Sequence, residues 1–99
     1  MYYAIVATDR VDSLALRLQH RPEHLARLEA LREAGRLLLA GPFPAIDSES
    51  PGDAGFSGSL IVASFDSLQA AQDWAAADPF VREGVYAKVD VRPFKRVLP

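Results

Sequence analysis

Val85-Tyr86-Ala87-Lys88-Val89-Asp90-Val91-Arg92 alternates apolar and polar side chains with a period of two. That is the pattern of a β-strand with one covered face, because successive side chains leave a strand on opposite sides. Val85, Ala87, Val89 and Val91 are expected on the covered face, with Tyr86, Lys88, Asp90 and Arg92 turned to water. A strand in this position, after a helical segment, returns to a sheet begun earlier in the chain, so the order of the preceding elements decides the fold.

Immediately upstream, Ser67 is a good N-cap for a helix from Leu68 to Ala77, where Leu68, Ala71, Trp74 and Ala75 form an apolar stripe. Asp78-Pro79 is expected to end it. Trp74 reads as a core anchor and indicates no aromatic cage. Before that helix, Ser57 to Phe65 reads as a strand, and so does Arg36 to Ala40, which Gly41-Pro42-Phe43-Pro44 should terminate because prolines remove ladder donors. Pro44 to Gly55 is expected to be one long loop between them.

Leu25, Leu28 and Leu31 recur at helical spacing, and Gly35 supplies the stop. Pro22 fits best in the first turn of that helix, so a separate helical start at Leu14 to Leu18 and a break near Arg21 are expected. Tyr2 to Thr8 is the opening strand. The string is βαββαβ, the split βαβ arrangement of a ferredoxin-like α+β sandwich, in which two helices cover one face of a four-stranded antiparallel sheet. Its other face is left bare, and burial against the sheet of a second copy, giving a dimeric α+β barrel, is the simplest way to cover it.

With 99 residues and 49% hydrophobic content, the chain has room for one domain spanning 1–99 and one core. So small a domain buries only about two-thirds of the surface its unfolded chain exposes, which again favours a homodimer or larger assembly. A formal charge of −2 argues against nucleic acid as a partner. There is no cysteine, so no disulfide, thiolate metal site or Cys nucleophile is available. Met1 to Thr8 lacks a basic lead-in and is interrupted by Asp9-Arg10, so no membrane or export segment is expected, and the composition fits the cytoplasm.

Taken in order, Arg21-Pro22-Glu23-His24-Leu25, Ala40-Gly41-Pro42, Gly55-Phe56-Ser57-Gly58-Ser59 and Asp78-Pro79-Phe80-Val81-Arg82-Glu83-Gly84-Val85 resemble the YciI-like protein family. The likeness runs from Tyr2 through Pro93-Phe94-Lys95. It implies a dimeric ferredoxin-like fold related to muconolactone isomerase, and a His and Asp pair that falls on His24 and Asp78. It does not imply a settled reaction, although a relative that removes chloride from a hydroxylated aromatic ring suggests acid/base chemistry on small cyclic substrates. Phe80 stands where an aromatic is usual, and Pro22 enters the motif.

The residues themselves allow that chemistry. His24, one turn before Leu28 and two before Leu31, is expected at the edge of the core-facing stripe near a helix N-terminus, an environment suited to a neutral base. Asp78, if it reaches His24, would fix the ring tautomer and stabilise an imidazolium. The plainer readings are a half-buried structural histidine and an aspartate that caps a new helical turn ahead of proline. Arg21 and Arg82 are candidates to hold a substrate carboxylate, and Ser59 to offer it a hydroxyl; ordinary surface arginines and strand-end packing are the alternatives.

His20 and His24 have a spacing that binds zinc on a continuous helix, but the expected break at Pro22 and the lack of a third ligand argue against a metal. Gly41-Pro42 and Gly52, Gly55 and Gly58 match no phosphate-binding spacing, and no cofactor is indicated. Two functions follow: an enzyme in which His24 moves a proton during isomerisation or elimination on a small cyclic substrate, or a non-catalytic module that binds or senses a small metabolite.

Overall fold

The computed structural model describes the whole chain, Met1–Pro99. Strand β1 spans Tyr2–Asp9, helix α1 Leu14–Glu33, β2 Leu37–Pro44, β3 Phe56–Ser64, α2 Leu68–Ala76, α3 Pro79–Arg82 and β4 Tyr86–Phe94, with a single 3₁₀ turn at Gly52–Ala54. The four strands form one sheet in the order β2-β3-β1-β4, and every neighbouring pair is antiparallel. This is the ferredoxin-like α+β arrangement expected from the element string.

Register makes the two sheet faces unequal. Tyr3 pairs with Ala63, Ile5 with Ile61 and Ala7 with Ser59, so the odd-numbered residues of β1 and β3 share one face. That face carries the core: Tyr3, Ile5, Ile61 and Ala63 pack with Leu28 and Leu31 of α1 and with Ala71 and Ala75 of α2. Phe65 joins them, with its ring 5.8 Å from that of Trp74. A smaller cluster of Ala7, Phe80, Val85 and Tyr86 lies at one end. Full burial of Phe80 contributes about 2–3 kcal/mol of transfer free energy.

Three local expectations are corrected. Helix α1 does not break near Arg21: it runs unbroken through Pro22. An internal proline costs a helix about 3 kcal/mol by removing a hydrogen bond and crowding the previous turn. Contacts on both sides of it hold the helix together, since Arg17, His24, Leu28 and Leu31 all lie buried along the same stripe. His24 is therefore mid-helix, away from the N-terminus of its own helix.

Strand β2 does not stop at Ala40 but continues through Pro42 and Pro44. It is an edge strand, and an edge needs only alternate N–H groups for its one neighbour, which is where prolines are tolerated.

The third concerns Tyr86, expected in water and in fact 7% exposed. β4 carries a bulge: Thr8 pairs with Lys88 but Asp9 with Tyr86, so one extra residue, Ala87, interrupts the alternation. Beyond it the inward phase passes to Tyr86, while Val89 and Val91 keep theirs against the core.

The caps are as read. The Ser67 hydroxyl accepts from the Ala70 amide at 3.0 Å, and Gly35 takes φ 71°, a left-handed conformation suited to glycine, just past α1. On the sheet face away from the helices, Tyr2, Ala4, Val6 and Leu60 are half-buried, and Leu39, Phe43 and Phe94 are 47%, 37% and 39% exposed. No helix is long and apolar enough to cross a membrane.

Candidate functional site

Asp78 sits in the short step between α2 and α3. Its extended backbone lets one carboxylate oxygen accept from the Phe80 amide at 2.9 Å, the N-cap geometry, with Pro79 in the first helical position. The capping role and the pairing role are thus filled by the same side chain, because a carboxylate has acceptor sites to spare. Its two oxygens lie 2.9 and 3.0 Å from His24 Nδ1. Arg27 Nη1 donates to Oδ2 at 2.9 Å, while Arg27 Nη2 donates to the Trp74 carbonyl at 2.7 Å and its guanidinium lies over the Trp74 ring.

Burial pushes the Asp78 carboxyl up. The His24 hydrogen bond and charge, the Phe80 amide and the Arg27 guanidinium outweigh that and hold it below the ordinary carboxylate value. An ionised Asp78 only accepts hydrogen bonds, so Nδ1 carries a hydrogen, and in the neutral ring Nε2 is the nitrogen that holds the lone pair. The imidazole is also stacked on Phe80, at 4.1 Å between centroids and 10° between planes, which fixes its plane.

Nε2 makes no protein hydrogen bond, and His24 lines a cavity of about 200 Å³. The cavity lies between α1, the edge strand β2 and the end of β3, where Arg21, Ser59, Leu25 and Pro42 also reach it. A groove of about 420 Å³ along β4 and α2 is larger but does not include the pair. Of the expected site residues, His24, Asp78, Ser59 and Arg21 thus meet at or beside one cavity. Arg82 does not line it; it forms a surface ion pair with Glu23 at 3.0 Å. His20 stands 4.0 Å from Glu83. With α1 unbroken, the argument against zinc from a break at Pro22 does not hold, but His24 Nδ1 is already committed to Asp78.

Sequence reasoning passed over Arg17. Its guanidinium holds Asp9 through Nε at 2.8 Å and Nη2 at 3.0 Å, and Nη2 also donates to the Gly58 carbonyl at 3.0 Å and Ser59 Oγ at 2.9 Å. It lines the same cavity and is only 6% exposed. The one available signal was its position seven residues before His24, two helical turns along the same stripe; Asp9 gave no hint of its partner. Behind Ser59, the Tyr86 hydroxyl is buried without a hydrogen bond. Burial pushes this phenol up to about 12 against the smaller opposing pull of the Ser59 hydroxyl, which is near it but not in hydrogen-bonding geometry, and of the Arg17 charge.

Fold and site together define a ferredoxin-like α+β domain with a buried, tautomer-fixed histidine facing a small cavity. The chain belongs to the YCII-related domain family, which it matches over residues 1–95. It is 60% identical over 98 residues to Protein YciI of Escherichia coli O6:H1, covering 99% of this chain and 100% of that protein. An uncharacterized protein of Haemophilus influenzae is 58% identical over the same span. Among solved structures it is similar to the 5-chloro-2-hydroxyhydroquinone dehydrochlorinase of Burkholderia phenoliruptrix in complex with 2,5-dihydroxybenzoquinone. That likeness has a TM-score of 0.85 and 27% identity, covering 96% of this chain and 94% of the other.

Proposed function

We propose that this protein is an enzyme of acid/base proton transfer, performing an elimination or isomerisation on a small hydroxylated ring, with His24 as the base and Asp78 as its orienting partner. The observation that carries the reading is the free Nε2: Asp78 accepts from Nδ1, so the basic nitrogen is the one left without a protein partner at a cavity. A cavity of about 200 Å³ suits one six-membered ring, since a cavity of ~150 Å³ holds benzene.

In this mechanism Nε2 takes a proton from the substrate ring, and the ionised Asp78 stabilises the imidazolium that forms. In an elimination the ring reacts as its keto tautomer, in which the carbon bearing the leaving group is tetrahedral: the electron pair of the C–H bond on the neighbouring carbon becomes the new C=C bond, and the leaving group departs with the pair of the bond that breaks. The imidazolium then returns its proton to solvent or to the leaving group. Arg21 at the cavity supports the negative charge that develops on a ring oxygen. The likeness to a dehydrochlorinase with a dihydroxybenzoquinone bound supports substrates of that kind. The bare sheet face supports a homodimer, in which two such faces cover one another.

The test is deuterium exchange and chloride release in D₂O with chlorinated and unchlorinated hydroxyhydroquinones. Turnover should fall by about 10²–10⁴-fold in His24→Ala. Binding of these rings without any exchange or release in the wild type would reject the enzyme reading in favour of a metabolite-binding module.

A further inference from the structure

Arg17 is a charged side chain in the protein interior whose donors are unevenly used. Nε and Nη2 make four hydrogen bonds, to both Asp9 oxygens, the Gly58 carbonyl and Ser59 Oγ. Nη1 makes none and is not fully buried, since the Tyr86 hydroxyl is the only fully buried side-chain polar atom without a partner. The side chain is only 7% exposed, and it lines the His24 cavity. The N–H groups of Nη1 are therefore unpaired, partly accessible donors on a residue that lines the cavity.

Ser59 adds a second donor. Its Oγ accepts from Arg17, and its hydroxyl hydrogen can turn either to the nearby Tyr86 oxygen or to a ligand in the cavity, which Ser59 lines while being 3% exposed. Receiving a charge-assisted hydrogen bond makes that hydroxyl a stronger donor. Arg21 lines the cavity as well, and no aspartate or glutamate does: Asp9 and Asp78 both lie behind it, each tied to an arginine. Asp9 neutralises Arg17, so the inner subsite works by directed hydrogen bonds while Arg21 supplies net positive charge.

We infer that Arg17 Nη1 and the Ser59 hydroxyl form an oxyanion subsite, and that the ligand of this cavity is a planar ring carrying an ionised oxygen. Phe80 links the subsite to the base, with the imidazole stacked on its ring at 4.1 Å and the Arg17 guanidinium 5.0 Å from its centroid. The base and the subsite thus pack against the same Phe80 ring and line the same cavity. The inference deepens the proposed acid/base function and rests on the same cavity, but it concerns binding and is read without turnover.

The experiment uses two probes, 2,5-dihydroxybenzoquinone, which is ionised at neutral pH, and uncharged hydroquinone. Affinities are measured by calorimetry for the wild type, Ser59→Ala and the paired variant Asp9→Asn/Arg17→Met. The paired change removes both members of a buried ion pair and leaves no uncompensated charge; far-UV circular dichroism checks that it folds. The wild type should bind the anion at least about tenfold more tightly than hydroquinone, and each variant should lose about tenfold for the anion alone. In the wild type the Arg17 side-chain NMR resonances should shift on adding the anion, which tests the contact even if the paired variant does not fold.

The inference is overturned if the anion fails to bind the wild type, if it leaves the Arg17 resonances unmoved, or if the folded variants bind both probes as the wild type does. Failure of the proton-transfer reading looks different: the anion binds through Arg17 and Ser59, but no substrate exchanges deuterium.

Discussion

His24 Nδ1 lies 2.9 Å from Asp78 Oδ1 across 54 residues of sequence, with both side chains almost wholly buried. The contact joins the middle of α1 to the cap of α3 and ties the histidine's free nitrogen to the cavity. It also ties the stability of the domain to the charge of one carboxylate.

That coupling gives the protein an acid-sensitive contact. The Asp78 carboxyl is held below its ordinary 3.8, so its contribution to stability is present above that value and is lost as pH falls through the lower folded-state value. Urea unfolding of the wild type should therefore weaken below about pH 4. Asp78→Asn should cost about 2–3 kcal/mol at pH 7, because the amide cannot pair with Arg27 and His24 as a charge, and its own acid dependence should be flatter.

Tyr86 has the opposite dependence. Its phenol is pushed from 10.0 to about 12, so the folded state favours the neutral form. The resulting stability is complete below pH 10 and is lost as pH rises through about 12, an amount of about 3 kcal/mol. Tyr86→Phe removes a buried hydroxyl that has no partner. The variant should be at least as stable as the wild type at pH 7, to within about 1 kcal/mol. It should also lack the wild type's alkaline weakening, measured by denaturant midpoints across that range.

Gly58 tests the close approach of β3 to β1. A Cβ there would lie 2.0 Å from the Ala7 carbonyl oxygen, a backbone atom that cannot turn aside. Gly58→Ala should destabilise the domain by about 2–3 kcal/mol through forced strand separation. Because the Gly58 carbonyl also accepts from Arg17, the Arg17 side-chain resonances should shift in the same variant.

The uncovered sheet face predicts association. Leu60 pairs with Val6 and Gly41 in the middle of that face. The wild type should sediment at about twice its 10.8 kDa chain mass, or a larger multiple. Leu60→Asp puts a charge into the proposed contact and should give monomers, while circular dichroism stays close to wild type. A monomeric wild type would remove the dimer.

Much of this architecture was legible in the residues because it depends on local periodicity. The period-two run at Val89-Asp90-Val91, the Ser67 cap and the Gly35 stop each act over a few residues, and each is found in the structure. His24 and Asp78 could be singled out as a candidate pair through the motifs in which they sit. Arg17 could not, since an arginine on a helix reads as surface until its partner is known.

What the sequence by itself determined is the order of elements, the apolar stripes and the chemical groups available, since these follow from chain geometry and side-chain chemistry. The tertiary structure decided the rest. It carried α1 through Pro22 because long-range contacts outweighed a local penalty, and it extended β2 through Pro42 and Pro44 because an edge strand has only one neighbour to satisfy. It turned Tyr86 inward with a one-residue bulge and set Arg17 between Asp9 and Ser59. Each of these depends on which distant groups arrive within a few ångströms, and that is a property of the packed sheet and helices together.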